Sequence, residues 1–267
     1  MKYLWTNFYA DHWADIAKML DDNYAKNIDD ASIIVGSYFK HSIDEFKPLV
    51  GNKRIIIYQL EPLIDSNMHF VENIVNNLKI ADEVWDYDLD NIKMLKQYGI
   101  NAKHKPCLYS KSLEKIKNST NPDIDVLFYG TMFPRRINFI HDAFYNSYMS
   151  HFDTVLKSSF VYAHGVWGDN LDKYIARSKI ILNLNPSDAE SRQQQTRIFY
   201  ALTNSKCVIS ERSNKNYFNN LIREFSTPKE MIDLIGELLI NDNWKLHSNN
   251  NSFKQHTNLF LQNIGAI

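Results

Sequence analysis

The chain has 267 residues, is 44% apolar and carries a formal net charge of −1. That is enough chain for one large or two small globular cores, and no apolar run approaches the roughly 18 residues of a membrane span. Near-neutrality argues against a nucleic-acid partner held by charge alone. In chain order, Lys2 to Trp5 reads as a strand followed by a loop from Thr6 to Asp11. Ala31 to Gly36 and Arg54 to Leu60 are β-branched runs of strand type. Val71, Ile74, Val75 and Leu78 keep helical spacing, Glu83 to Tyr87 is strand-like, and Ile92, Leu95 and Tyr98 give a helix closed by Gly99. This alternation implies a doubly wound parallel sheet over residues 1–115. Lys111 to Pro122 is polar and reads as a linker.

A second α/β unit is expected over residues 122–240. It opens with the strand Asp125 to Gly130. A helix from Pro134 to about Met149 follows, with Ile137, Ile140, Phe144 and Tyr148 inward. Strands are expected near Thr154 and Val161, then a helix from Leu171 to Ser178. Ile180 to Leu184 form a buried parallel strand, and Asn185-Pro-Ser-Asp-Ala-Glu breaks it. Ser187 with Glu190, or Ser191 with Gln194, can cap the next helix. On that helix Ile198, Phe199 and Leu202 fall on one side, with Gln193, Arg197 and Tyr200 on the other. Cys207 to Ile209 restarts a strand ended by Ser210 and Glu211, and a helix runs from Pro228 to Ile240. The tail, 241–267, is Asn-rich, then helical over Asn258 to Ile264. Cys107 and Cys207 sit in strand-like contexts and read as buried reduced thiols. With an N-terminus, MKYLWTNFYADHW, that lacks a signal-peptide core, they lead us to expect a cytoplasmic protein.

Seven of the eight arginines lie in the second half, whereas lysine is spread throughout. Arginine is the better bidentate phosphate donor, so the second unit is the one expected to handle phosphate. After the strand ending at Gly130, Pro134 suits the first helical position and puts Arg135 and Arg136 in the first turn. Cations there oppose the helix dipole, and a bound anion removes the conflict. The alternative is that one arginine is solvated and the other pairs with Asp142 or Glu211. The strand–loop–helix carrying Asn185, Ser187, Arg192 and Arg197 is a second anion site of the same type. His164 and Gly165, with Gly168 nearby, end a strand where backbone can approach a ligand. In the first unit Glu61 follows a strand directly and is placed to deprotonate a hydroxyl. Asp11 and His12 compete for that role, and Tyr9 and Trp13 could stack on sugar faces. Asp86, Asp88 and Asp90 form acidic pairs after a strand, which a helix N-cap explains without metal. No Walker loop, GxGxxG, HExxH, CxxC or GxSxG motif occurs.

The segment SKIILNLN…TRIFYALTNSKCVISE resembles the C-terminal domain of glycosyltransferases with the two-Rossmann-domain (GT-B) architecture, of the small family 1 and CgeB-like types. Leu182-Asn183, Arg197, Phe199, Ala201-Leu202 and Val208 to Glu211 carry the match. Tyr200 stands where many relatives have Glu, and Ser205 where they have Gly, so the anomeric outcome is left open. The resemblance implies two Rossmann-like domains facing a central crevice, with the tail packing back on the first. It implies a nucleotide-diphosphate-sugar donor held by Gly130, Arg135, Arg136, His164, Gly165, Asn185, Ser187, Arg192 and Arg197. Arginines would neutralise the leaving group with no metal and no cofactor. The acceptor would be a hydroxyl of a glycan, a lipid-linked sugar, a protein or modified DNA. A non-catalytic Rossmann pair that binds a nucleotide or a partner is the alternative.

Overall fold

The structure is a computed structural model that describes residues 5–6, 14–24, 32–36, 52–64, 68–149, 159–186 and 192–265. The chain divides into two compact units, Met1–Cys107 and Leu108–Gly265. No helix among the described residues is long and apolar enough to cross a membrane.

The first unit contains β1 (Trp5–Thr6), α1 (Ala14–Tyr24), β2 (Ser32–Gly36), β3 (Arg54–Gln59), α2 (Met68–Leu78), β4 (Glu83–Asp86), α3 (Leu89–Gln97) and β5 (Ala102–His104). The strands form one parallel sheet in the order β1-β2-β3-β4-β5. The apolar stripe of α2, Val71, Ile74, Val75 and Leu78, is fully buried against Ile57, Val84 and Leu95, as its spacing requires. Helix α3 starts at Asp88, whose carboxylate accepts from the backbone N–H of Asp90 and Asn91 at 2.8 and 3.0 Å. It ends in the glycine turn expected at Gly99, which sits at φ +77°. Helix α1 was not anticipated, although Ile16, Met19, Leu20 and Tyr24 lie at helical spacing and are all buried.

The second unit contains β6 (Ile124–Tyr129), α4 (Pro134–Met149), β7 (Phe160–Ala163), α5 (Gly168–Arg177), β8 (Ser178–Asn183), α6 (Gln195–Thr203), β9 (Cys207–Glu211), β10 (Arg223–Phe225), α7 (Pro228–Leu239) and α8 (Asn251–Asn263). Its parallel sheet runs β10-β9-β8-β6-β7. The chain therefore steps from β6 to β7 and then crosses back to β8 on the other side of β6. Such a reversal opens a crevice at the carboxyl ends of the two strands that flank it. The reversal expected of a doubly wound sheet is found here and not among the described strands of the first unit.

Two helix faces differ from the sequence reading. On α4, Ile137 is half exposed, while Arg136, Phe139 and Ala143 face inward. The ring of Phe139 packs on Phe225 with Arg135 over it, while Ile140 packs against the core and Phe144 on Phe160, as expected. Helix α6 begins at Gln195 rather than near Ser187 or Ser191, which lie outside the described residues. It has no polar face: Arg197 and Tyr200 are buried along with Ile198, Phe199 and Leu202. The segment expected as a linker is bonded to the end of this helix, since Asn204 Oδ1 accepts from the N–H of Lys115 and Ile116 at 3.0 and 2.9 Å. Within the same unit α8 starts seven residues before the expected position. Asn250 donates to the Thr203 carbonyl, Thr257 Oγ1 accepts from Tyr109 N–H, and Phe253 packs on Phe218.

Candidate functional site

The carboxyl ends of β6, β8 and β9 meet at the reversal, and three arginines converge there. Arg135 and Arg136 come from the first turn of α4, and Arg197 from the first turn of α6. Their guanidiniums bind three consecutive residues at the end of β8. Arg197 Nη1 donates to Asn183 Oδ1 at 2.5 Å. Arg136 Nε and Nη2 donate to the Leu184 carbonyl at 3.1 and 2.7 Å. Arg135 Nη1 donates to the Asn185 carbonyl at 3.4 Å. Consecutive Cα atoms are about 3.8 Å apart, so one diphosphate can span the neighbourhood of all three.

The cluster is electrostatically loaded. Arg136 and Arg197 have no carboxylate partner among the described residues, and both are buried. Burial and the neighbouring Arg197 and Arg135 charges push the Arg136 guanidinium down to about 9. Burial pushes Arg197 down to about 10. Both remain cations at neutral pH. Only Arg135 has a resolved acid partner: Glu211, at the end of β9, takes its Nη1 at 2.5 Å and its Nη2 in a bidentate pair. The pairing with Glu211 is the one that sequence alone offers as the alternative to anion binding. Arg136 is not solvated, and its Nη1 also donates to the Thr131 carbonyl at 2.5 Å. The N–H of Asn185 donates to Glu211 at 2.9 Å. Asn185 Oδ1 and Arg197 Nε are buried with no hydrogen-bond partner among the described residues.

Gly130 explains its own identity. Its φ of +121° is unfavourable for side chains, and a Cβ there would come within 2.5 Å of Arg197 Nη2. The Arg197 guanidinium thus lies directly over the end of β6, stacked against the Phe128 and Tyr129 rings. His164 is joined to the same place through Tyr162, whose hydroxyl bonds His164 Nδ1 at 2.8 Å and donates to the Gly130 carbonyl at 3.0 Å. Gly165 and Gly168 adopt left-handed conformations, with open space beside each. Arg192 is buried just before α6. Ser187 and Asp188 lie outside the described residues, as do Tyr9, Asp11, His12 and Trp13. Tyr200 donates to Asp172 at 2.6 Å.

Glu61 lies two residues past the end of β3, the carboxyl end of a parallel strand. Burial raises its carboxyl above the usual glutamate value. Its backbone is clamped by side chains that sequence reading missed. Gln59 Oε1 accepts from Glu61 N–H at 2.7 Å, and Gln59 and Asn91 both donate to the Glu61 carbonyl. Asp86, fully buried behind them, accepts from Asp88 N–H and Asn91, yet burial holds its carboxyl well above the ordinary range. The uncharged amides at 59 and 91 gave no signal in sequence, because their role depends on the pairing of β3 with β4.

No family model and no curated protein matches the sequence. Among solved structures the chain is similar to TarM, with a TM-score of 0.54 and 13% identity over 89% of this chain and 54% of that one. It is also similar to Anabaena Alr3699/HepE in complex with UDP, at TM-score 0.52 and 9% identity over 88% of this chain and 79% of that one. Sucrose-phosphate synthase from Thermosynechococcus elongatus matches at TM-score 0.52 and 10% identity, over 89% of this chain and 74% of that one. The chain spans about half the length of TarM. Together with the two parallel sheets, these likenesses show that the chain has the two-Rossmann-domain GT-B fold.

Proposed function

We propose that the protein is a glycosyltransferase that takes a sugar from a nucleotide-diphosphate donor and passes it to a hydroxyl acceptor. The observation that carries the reading is the convergence of Arg135, Arg136 and Arg197 on Asn183, Leu184 and Asn185 at the strand reversal. Two of these guanidiniums are buried with no carboxylate partner among the described residues, a costly arrangement that a bound anion relieves. Positive groups already in place where a diphosphate leaves lower the barrier to its departure without a metal ion. HepE, of similar fold, was solved in complex with UDP, which makes uridine nucleotides the first donors to test. Gly130, Arg192, Asn185, Ser187, His164 and Gly165 complete the donor side in this reading. Glu61 is the base, with Asp11 and His12 as competitors. A carboxyl raised by burial is better matched to a hydroxyl proton than an ordinary one. Surface glycans and other glycoconjugates are the acceptors we favour over modified DNA, given the net charge of −1. The buried thiols of Cys107 and Cys207, both pushed up to about 12 by burial, suit a cytoplasmic enzyme.

One observation favours a second reading, a nucleotide- or partner-binding module without catalysis. Tyr200 replaces the acid that relatives carry, and its hydroxyl is engaged by Asp172. Thermal stabilisation against nucleoside diphosphates and nucleotide sugars, with and without Mn²⁺, tests the donor site. A donor at a hundred times its Kd adds about 2.7 kcal/mol. A shift independent of Mn²⁺, followed by release of nucleoside diphosphate when acceptor is added, supports the transferase. A shift without turnover on any acceptor supports a nucleotide-binding module, and no shift with folded protein refutes the transferase and leaves the partner-binding module.

A further inference from the structure

We infer that the Glu211 carboxylate is a built-in competitor for the anion site, holding the place of a ligand phosphate on Arg135 until a more highly charged group displaces it. The inference rests on the donor-site reading above and adds to it a residue that sets which anions are accepted. Glu211 receives both Nη atoms of Arg135 and the backbone N–H of Asn185. A guanidinium fork joined by a main-chain N–H at a strand end is the donor set that proteins use for phosphate. The carboxylate thus occupies phosphate geometry without being a ligand.

The rest of the cluster makes that occupancy consequential. Arg136 and Arg197 are buried and engaged by Thr131, Leu184 and Asn183. Arg135 keeps about a fifth of its side chain exposed, 19% against 8% for Glu211, so its guanidinium is the one that a ligand meets first. Glu211 is itself fixed in the sheet, paired with Phe225, so only its side chain can leave. An anion of low charge gains too little to displace a bidentate carboxylate. A diphosphate, bearing more charge and reaching Arg197 as well, gains more. The pair keeps Arg135 aligned while the site is empty and raises the threshold for monoanions.

Inorganic pyrophosphate and inorganic phosphate, titrated calorimetrically into wild type, Glu211→Gln and Glu211→Asp, test this. Removing the competing charge should tighten pyrophosphate binding about tenfold, the scale of one charge-assisted hydrogen bond, and should tighten phosphate binding at least as much. The preference for pyrophosphate over phosphate then narrows or holds. Without ligand, Glu211→Gln should melt below wild type, and pyrophosphate should raise its Tm more than that of wild type. Glu211→Asp, which keeps the charge but shortens its reach, should fall between the two and serves if the glutamine variant fails to fold. Equal or weaker pyrophosphate binding by folded variants, when wild type binds, overturns the competitor role while leaving the donor site standing. No binding by wild type or either variant overturns both.

Discussion

Gly130 shows how narrowly a single residue can be fixed by a partner far along the chain. Its Cα faces Arg197, 67 positions later, so Gly130→Ala must strain a φ of +121° and push aside a pinned guanidinium. We expect a loss of about 1–3 kcal/mol of stability and weaker nucleoside diphosphate binding, read by chemical denaturation and calorimetry. Ser205 is the opposite case. It sits at φ +57° in the turn closing α6, where its N–H donates to Leu202 and that of Lys206 to Ala201. This is the glycine-preferring end of a helix, and Ser205→Gly should add about 1 kcal/mol, seen as a higher Tm. At Glu61 the sign follows from a carboxyl raised by burial. Above its ordinary value of about 4.3 the folded state holds the proton more tightly than the unfolded chain, so stability falls as pH rises through the folded pKa. Glu61→Gln should therefore match wild type in strong acid and exceed it at neutral pH. A constant difference across that range would contradict the buried-acid description. That the arginines and Gly130 belong to one site was expected from sequence, and the structure brings them together, but their contacts were not legible. Hydrogen bonds from Arg197 to Asn183, or from Tyr162 to Gly130, exist only once β6, β7 and β8 are adjacent.

Among the elements, α6 was read as amphipathic, and its burial on nearly every side is what tertiary packing added. The polar residues that suggested an outward face have internal partners instead: Arg197 with Asn183, and Tyr200 with Asp172. A rule based on 100° steps cannot distinguish a solvated side from a buried, satisfied one. The same limit explains α4, where Arg136 faces inward because the Phe128 and Phe133 rings lie beside its guanidinium. The short strands β5 and β10, three residues each and rich in charge, left too little pattern to find. At the end of α6, Asn204 holds two backbone N–H groups of the 111–122 segment and the Tyr200 carbonyl. Asn204→Ala leaves those groups unpaired, and we expect a loss of about 2–3 kcal/mol. Hydrogen exchange should quicken at Lys115 and Ile116 first.

For the whole molecule, strand and helix alternation was enough to give an α/β fold with parallel sheets, and the resemblance around residues 178–211 was enough to suggest GT-B. The strand order was not, because periodicity says which residues face a core and nothing about which strands are neighbours. That order places the site: only with β7 and β8 on opposite sides of β6 do the starts of α4 and α6 point at one place. The central claim is that this place binds the diphosphate of a nucleotide. The measurement that tests it most directly is calorimetric titration of UDP and of uridine into wild type and folded Arg197→Met. We expect UDP to bind wild type far more tightly than uridine, and the substitution to weaken UDP at least about tenfold while leaving uridine unchanged. UDP binding no tighter than uridine, or unaffected by the loss of Arg197, would contradict the account.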